Sequence, residues 1–91
     1  MCTISVNDFI KDNSYPDAGM ALYNAMVANM ECDKIILDMT DVSTLPSMFL
    51  NTSIGKFIEV YGAELLRNKV TFTKITSAQA MRIKEYIGRI E

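Results

Sequence analysis

Hydrophobic and polar positions along the chain change period several times, and each change predicts an element. Residues 3–10 (TISVNDFI) set Ile4 and Val6, with Phe9 beyond them, against polar neighbours, the period of a half-buried strand. Residues 11–16 (KDNSYP) read as a turn-rich loop. From Asp17 to Glu31 the spacing becomes helical: Ala18, Leu22, Ala25, Met26 and Met30 share one face, and Asp17 is a suitable N-cap. Residues 34–38 (KIILD) form a short apolar run, expected to be a strand buried on both faces. Residues 39–46 make a loop that stops at Pro46. The clearest amphipathic helix follows over residues 47–61, with Leu50, Ile54, Phe57, Ile58 and Tyr61 on one stripe and Gly62 at its end. Residues 63–69 add a short helical turn, and the β-branched run 70–75 (VTFTKI) reads as a strand. Thr76 and Gln79 are spaced as a capping box for a last helix, whose buried stripe would be Ala80, Ile83, Ile87 and Ile90, with Arg82, Lys84 and Arg89 in water. The order βαβαβα predicts one α/β domain over residues 1–91, a small and mostly parallel sheet with helices packed on it.

Composition narrows what such a domain can do. Of 91 residues, 49% are hydrophobic and 22% charged, enough to form a core without staples. The net charge of −2 gives no general attraction to nucleic acid or acidic lipid. There is no histidine, which removes the commonest general base and zinc ligand, and no nucleophile–base pair can be assembled, so no enzymatic activity is expected. Cys2 and Cys32, the only cysteines, read as reduced intracellular thiols, with one disulfide between them as the alternative. The first ten residues lack the pattern of a signal peptide, and no apolar run approaches the ~20 residues of a membrane span. A cytoplasmic protein is expected. Its charge is uneven: residues 1–55 carry two basic and seven acidic side chains, residues 56–91 seven basic and four acidic. That polarity could orient a protein partner.

Candidate chemistry is sparse. The four glycines are too far apart for a phosphate-cradling motif, so no nucleotide cofactor is implied. Asp38 and Asp41 lack a third ligand, and no metal is expected. Tyr15 and Tyr23 lack the basic surroundings of a single-strand binding surface. The loop DMTDVSTLPSMF, running from a strand into a helix, is more informative. Ser47 stands at or inside the first helical turn, where its hydroxyl could cap the helix and where a phosphate would be tolerated.

The segment DKIILDMTDVSTLPSMFLNTSIGKFIEVYG resembles the core of STAS-like α/β domains of unknown function. The matches are the apolar strand ending in Asp38, then Val42, Ser47 and Phe49, then the Gly55–Lys56 pair within the following helix. The resemblance extends over about residues 14–90 and is similar to the STAS antagonists of anti-sigma factors. It implies a non-catalytic regulatory module and an antiparallel edge for the first strand. It further implies a phosphoacceptor at Ser47, modified by a partner ATPase of the histidine-kinase-like superfamily, although Pro46–Phe49 replaces that family's Asp-Ser-Ser-Gly loop. The expected docking surface comprises Asp38, Thr40, Asp41, Ser43, Thr44, Ser47 and Phe49. The partner would be that ATPase or a DNA-binding regulator, with no direct contact to nucleic acid or membrane. Two other readings stay open: a small-ligand or nucleotide site at the strand ends, and a homo-oligomer joined through Met20, Met26 and Met30.

Overall fold

The structure, a computed structural model, describes residues 2–90, except the side chain of Ile90; the expected burial of Ile90 lies outside that description. The elements in order are β1 (Cys2–Ser5), α1 (Asn7–Ile10), α2 (Tyr15–Ala28), β2 (Ile35–Asp38), α3 (Ser47–Thr52), α4 (Ile54–Tyr61), α5 (Ala63–Lys69), β3 (Val70–Thr73) and α6 (Ser77–Ile90). The sheet order is β1-β2-β3, and both pairings are parallel. This corrects the antiparallel edge expected for the first strand. The α2 crossover returns the chain to the end where β1 began, and that forces a parallel pairing. β1 is also shorter than expected. Val6 has already turned to helical angles (φ −64°, ψ −39°), and Phe9 falls in the single turn of α1.

Cys2, Ile35 and Val70 stand in one row across the sheet, and Ile4, Leu37 and Phe72 in the next. These rows face the helices. The core joins Ile4, Ile35 and Leu37 to Leu22 and Met26 of α2, Phe49 and Leu50 of α3, and Phe57 of α4. The opposite face carries Thr3, Ser5, Ile36, Asp38, Thr71 and Thr73, half-buried or exposed. β2 is therefore buried on one face rather than two.

α2 starts two residues before the expected position. Pro16 sits in its first turn, where its missing N–H is no loss, and Asp17 accepts a hydrogen bond from the Ser14 hydroxyl (3.1 Å) instead of capping the helix. Gly19 marks the closest approach of α2 to α3. A Cβ there would lie 1.8 Å from Thr52 Oγ1 and 2.7 Å from the Phe49 carbonyl oxygen. The Thr52 side chain could turn aside, but the backbone oxygen cannot. Gly19→Ala is thus expected to destabilise the domain by about 2 kcal/mol, despite the ~1 kcal/mol that alanine gains in helix propensity. Thermal unfolding would measure it, and an unchanged or higher Tm would refute the close packing.

The helix expected over residues 47–61 is broken in two. Ser53 leaves helical geometry (φ −112°, ψ −84°), is fully buried, and donates its hydroxyl to the Phe49 carbonyl (2.7 Å). The bend lets Phe49 and Leu50 on one side, and Ile54 and Phe57 on the other, all reach the core. Gly62, at φ +95°, ends α4 as expected, with its N–H bonded to the Ile58 carbonyl (2.8 Å).

The thiols are not free. Cys2 and Cys32 form a disulfide with Cα atoms 6.1 Å apart, which corrects the expectation of reduced cysteines. The parallel pairing explains it: Cys2 lies opposite Ile35, close to the turn that carries Cys32. Among the described residues, no helix is long and apolar enough to cross a membrane.

Candidate functional site

Residues 38–50 leave the C-terminal end of the middle strand, the usual place for a functional loop in an open parallel sheet. Several fixed points shape this loop. Asp38 Oδ1 accepts the Thr40 hydroxyl (2.6 Å) and the Thr40 backbone N–H (2.9 Å). These two bonds, with a smaller contribution from the Lys74 charge, hold the Asp38 carboxyl below its ordinary pKa. Met39 N–H bonds the Thr73 carbonyl (2.9 Å), and Asp41 turns through the left-handed region (φ 66°), which aspartate tolerates better than most residues. Met39, Val42 and Leu45 point inward and are buried. Asp41, Ser43, Thr44, Ser47 and Met48 form the exposed rim.

Helix α6 clamps this loop from the side. Its capping box forms reciprocally, with Thr76 N–H donating to Gln79 Oε1 and Gln79 N–H to Thr76 Oγ1, both at 3.1 Å. The same Gln79 side chain donates Nε2 to the Val42 carbonyl (2.6 Å). One turn on, Arg82 Nε donates to the Leu45 carbonyl and its Nη2 to Ser47 Oγ, each at 3.1 Å. Tyr86 then donates its hydroxyl to Asn51 Oδ1 (2.6 Å), and burial raises its pKa. On the other flank, the Tyr15 and Thr44 hydroxyls share a hydrogen bond (3.2 Å).

The structure thus brings six of the seven anticipated residues to one end of the sheet and removes one from the surface. Phe49 is only 1% exposed and meets the Tyr15 ring edge-on at 6.4 Å, so it supports the loop from below. Nor does Ser47 cap the helix. The N-cap is Pro46, no side chain makes a capping bond, and the Ser47 hydroxyl accepts from Arg82. Arg82, expected in water, is half-buried in this role. Sequence reasoning missed Gln79 and Arg82 as loop partners, and Tyr86 as the partner of Asn51 just beyond the loop. Their i, i+3, i+7 spacing was the available signal, a polar stripe beside the apolar one. It also missed Met48, 59% exposed next to Ser47.

The arrangement offers little to a small molecule or a metal. A cavity of about 170 Å³ lies between the loop and α6, lined by Ser43, Leu45, Ala78, Gln79 and Arg82, smaller than usual ligand sites. A larger one, about 430 Å³, is lined by Asn51, Gly55, Ile58, Glu59 and Tyr86, away from the strand ends. Among the described residues, no three acidic or cysteine side chains group closely enough to hold a metal ion.

Fold and site together define a small parallel α/β domain whose polar loop at the strand ends is locked by its last helix. A family model described as a STAS-like domain of unknown function matches residues 18–80, and the chain belongs to that family. No curated protein and no solved structure matches the chain.

Proposed function

We propose that this domain is a non-catalytic regulatory module that docks a protein partner through the exposed rim of residues 38–50. The partner is an ATPase of the histidine-kinase-like superfamily or a DNA-binding regulator, and the complex is switched by phosphorylation of Ser47. One observation carries the reading: the Arg82 guanidinium already donates to Ser47 Oγ at 3.1 Å, on a hydroxyl exposed to solvent. Transfer of the γ-phosphoryl group of ATP to Ser47 Oγ, with loss of the hydroxyl proton, would set a phosphate beside a fixed guanidinium. Charge-assisted bonds of that kind are strong and directional. Arg82 would be drawn from the Leu45 carbonyl, and the rim would change shape and gain about −1.5 to −2 charges.

The fixed loop favours docking, since little conformational entropy remains to be lost on binding. Met48 supplies an apolar anchor among the hydroxyls of Thr40, Ser43, Thr44 and Ser47. The cytoplasm, where such ATPases work, is part of the same reading.

Partners captured from native extract by the wild-type domain would be measured against Ser47→Asp and Ser47→Ala. Affinity is expected to fall more than tenfold for Ser47→Asp relative to Ser47→Ala. Equal binding by the two variants would remove Ser47 from the switch.

A further inference from the structure

On the side of α6 away from the loop lies an apolar groove of about 280 Å³. Val70 and Phe72 of β3, with Ile75, form one wall; Ala80, Ile83 and Ile87 of α6 form the other. Lys84 stands exposed on its rim. β3 is an edge strand, with no described strand on its outer side. The Thr73 carbonyl is turned toward β2, where it accepts from Met39, so alternation along the strand turns the Phe72 N–H and C=O outward. A fourth strand laid there would satisfy those groups. It would also extend the rows that run through Ile35–Val70 and Leu37–Phe72, placing its inward side chains over the groove.

Charge selects the occupant. Residues 66–84, which include β3 and most of the groove, contain five basic residues and no acidic one. Lys69 and Lys74 flank β3 at its two ends. Short edge strands beside lysines are commonly a defence against aggregation, but that defence needs no apolar groove. We propose that β3 and this groove receive an extended segment of a partner protein, alternating apolar and acidic side chains, which adds to the sheet as a fourth strand. Its apolar residues enter the groove between β3 and α6, and its carboxylates meet Lys74 and Lys84. The surface meets the 38–50 rim only at Lys74, whose charge also acts on Asp38, and neither reading depends on the other.

Random dodecapeptides displayed on phage would be selected on the wild-type domain, with the Lys74→Glu/Lys84→Glu double variant as counter-target. Both lysines are exposed, and circular dichroism would verify that the variant is folded. Enriched sequences are expected to alternate apolar and acidic residues. A synthetic peptide of the consensus should bind the wild type at least tenfold more tightly than the variant and slow amide exchange at Phe72. No enrichment over the counter-target would overturn the proposal, as would a consensus peptide that leaves exchange at Phe72 unchanged. So would self-association in light scattering that the double variant loses, because the edge would then belong to a second copy of the chain.

Discussion

Reduction of the Cys2–Cys32 bridge is expected to lower the stability of the domain by about 3.6 kcal/mol. The two cysteines are 30 residues apart, and opening a loop of that size returns about 12 cal/mol/K of chain entropy to the unfolded state. A domain of this length is worth only about 5–14 kcal/mol in total. In urea the unfolding midpoint should fall by roughly 3 M on adding dithiothreitol, taking a slope near 1.2 kcal/mol/M. Cys2→Ser/Cys32→Ser should reproduce the reduced protein, which separates the bridge from side effects of the reductant. Coincident midpoints with and without reductant would mean that the pairing contributes nothing. The effect should be local as well as global. β1 holds to β2 through a four-residue ladder, so its amides should exchange first once the bridge opens. In a reducing cytoplasm, where the docking reading would have the domain work, this weakened form is the relevant one.

Gln79→Glu should be nearly as damaging at neutral pH, about 3 kcal/mol, although glutamate serves a capping box as well as glutamine does. Gln79 is 7% exposed, and its two ends have opposite tasks. Oε1 accepts from Thr76 N–H, which a carboxylate could also do; Nε2 donates to the Val42 carbonyl at 2.6 Å, which a carboxylate cannot. Ionised, the substitute would set two acceptor oxygens against each other in a buried place. Protonated, it could donate again. The introduced carboxyl should therefore have a raised pKa in the folded state. The variant keeps most of its stability below the unfolded value of about 4.3 and loses it as pH rises through the folded pKa. Urea titrations at pH 4 and pH 7 would read this. A deficit of equal size at both would show that the Val42 bond is not what the amide is for.

Much of the architecture was legible from residues alone, because it follows from periodicity. The stripe through Leu50, Ile54 and Phe57 located a helical region, and the Thr76–Gln79 spacing located the start of α6. Periodicity did not show the bend at Ser53, since a serine hydroxyl folding back onto the Phe49 carbonyl leaves the apolar spacing intact. Nor could it give the pairing of β1, the single buried face of β2 or the cysteine bridge. All three depend on which segments become neighbours in space. For the site, the loop was found by its place after an apolar strand ending in Asp38. The direction of its side chains was not: Phe49 and Ser47 are two residues apart, yet one enters the core and the other meets Arg82. The role of Arg82 was hidden because a cation on an amphipathic helix reads as solvated until the opposite backbone is placed.

The connection from β2 to β3 runs through three helices of six, eight and seven residues rather than one long one. A helix in isolation needs about 12–15 residues before it holds its shape in water. None of these three could persist as a fragment, and the bend at Ser53 denies the first two the length they would have had together. The part of the helical layer that lies between β2 and β3 thus has no independent existence, unlike α2 and α6, which have 14 residues each. Secondary structure in this connection is a product of assembly, so cleavage within it would leave the segment between β2 and β3 as flexible coil, not a helical remnant able to reassociate.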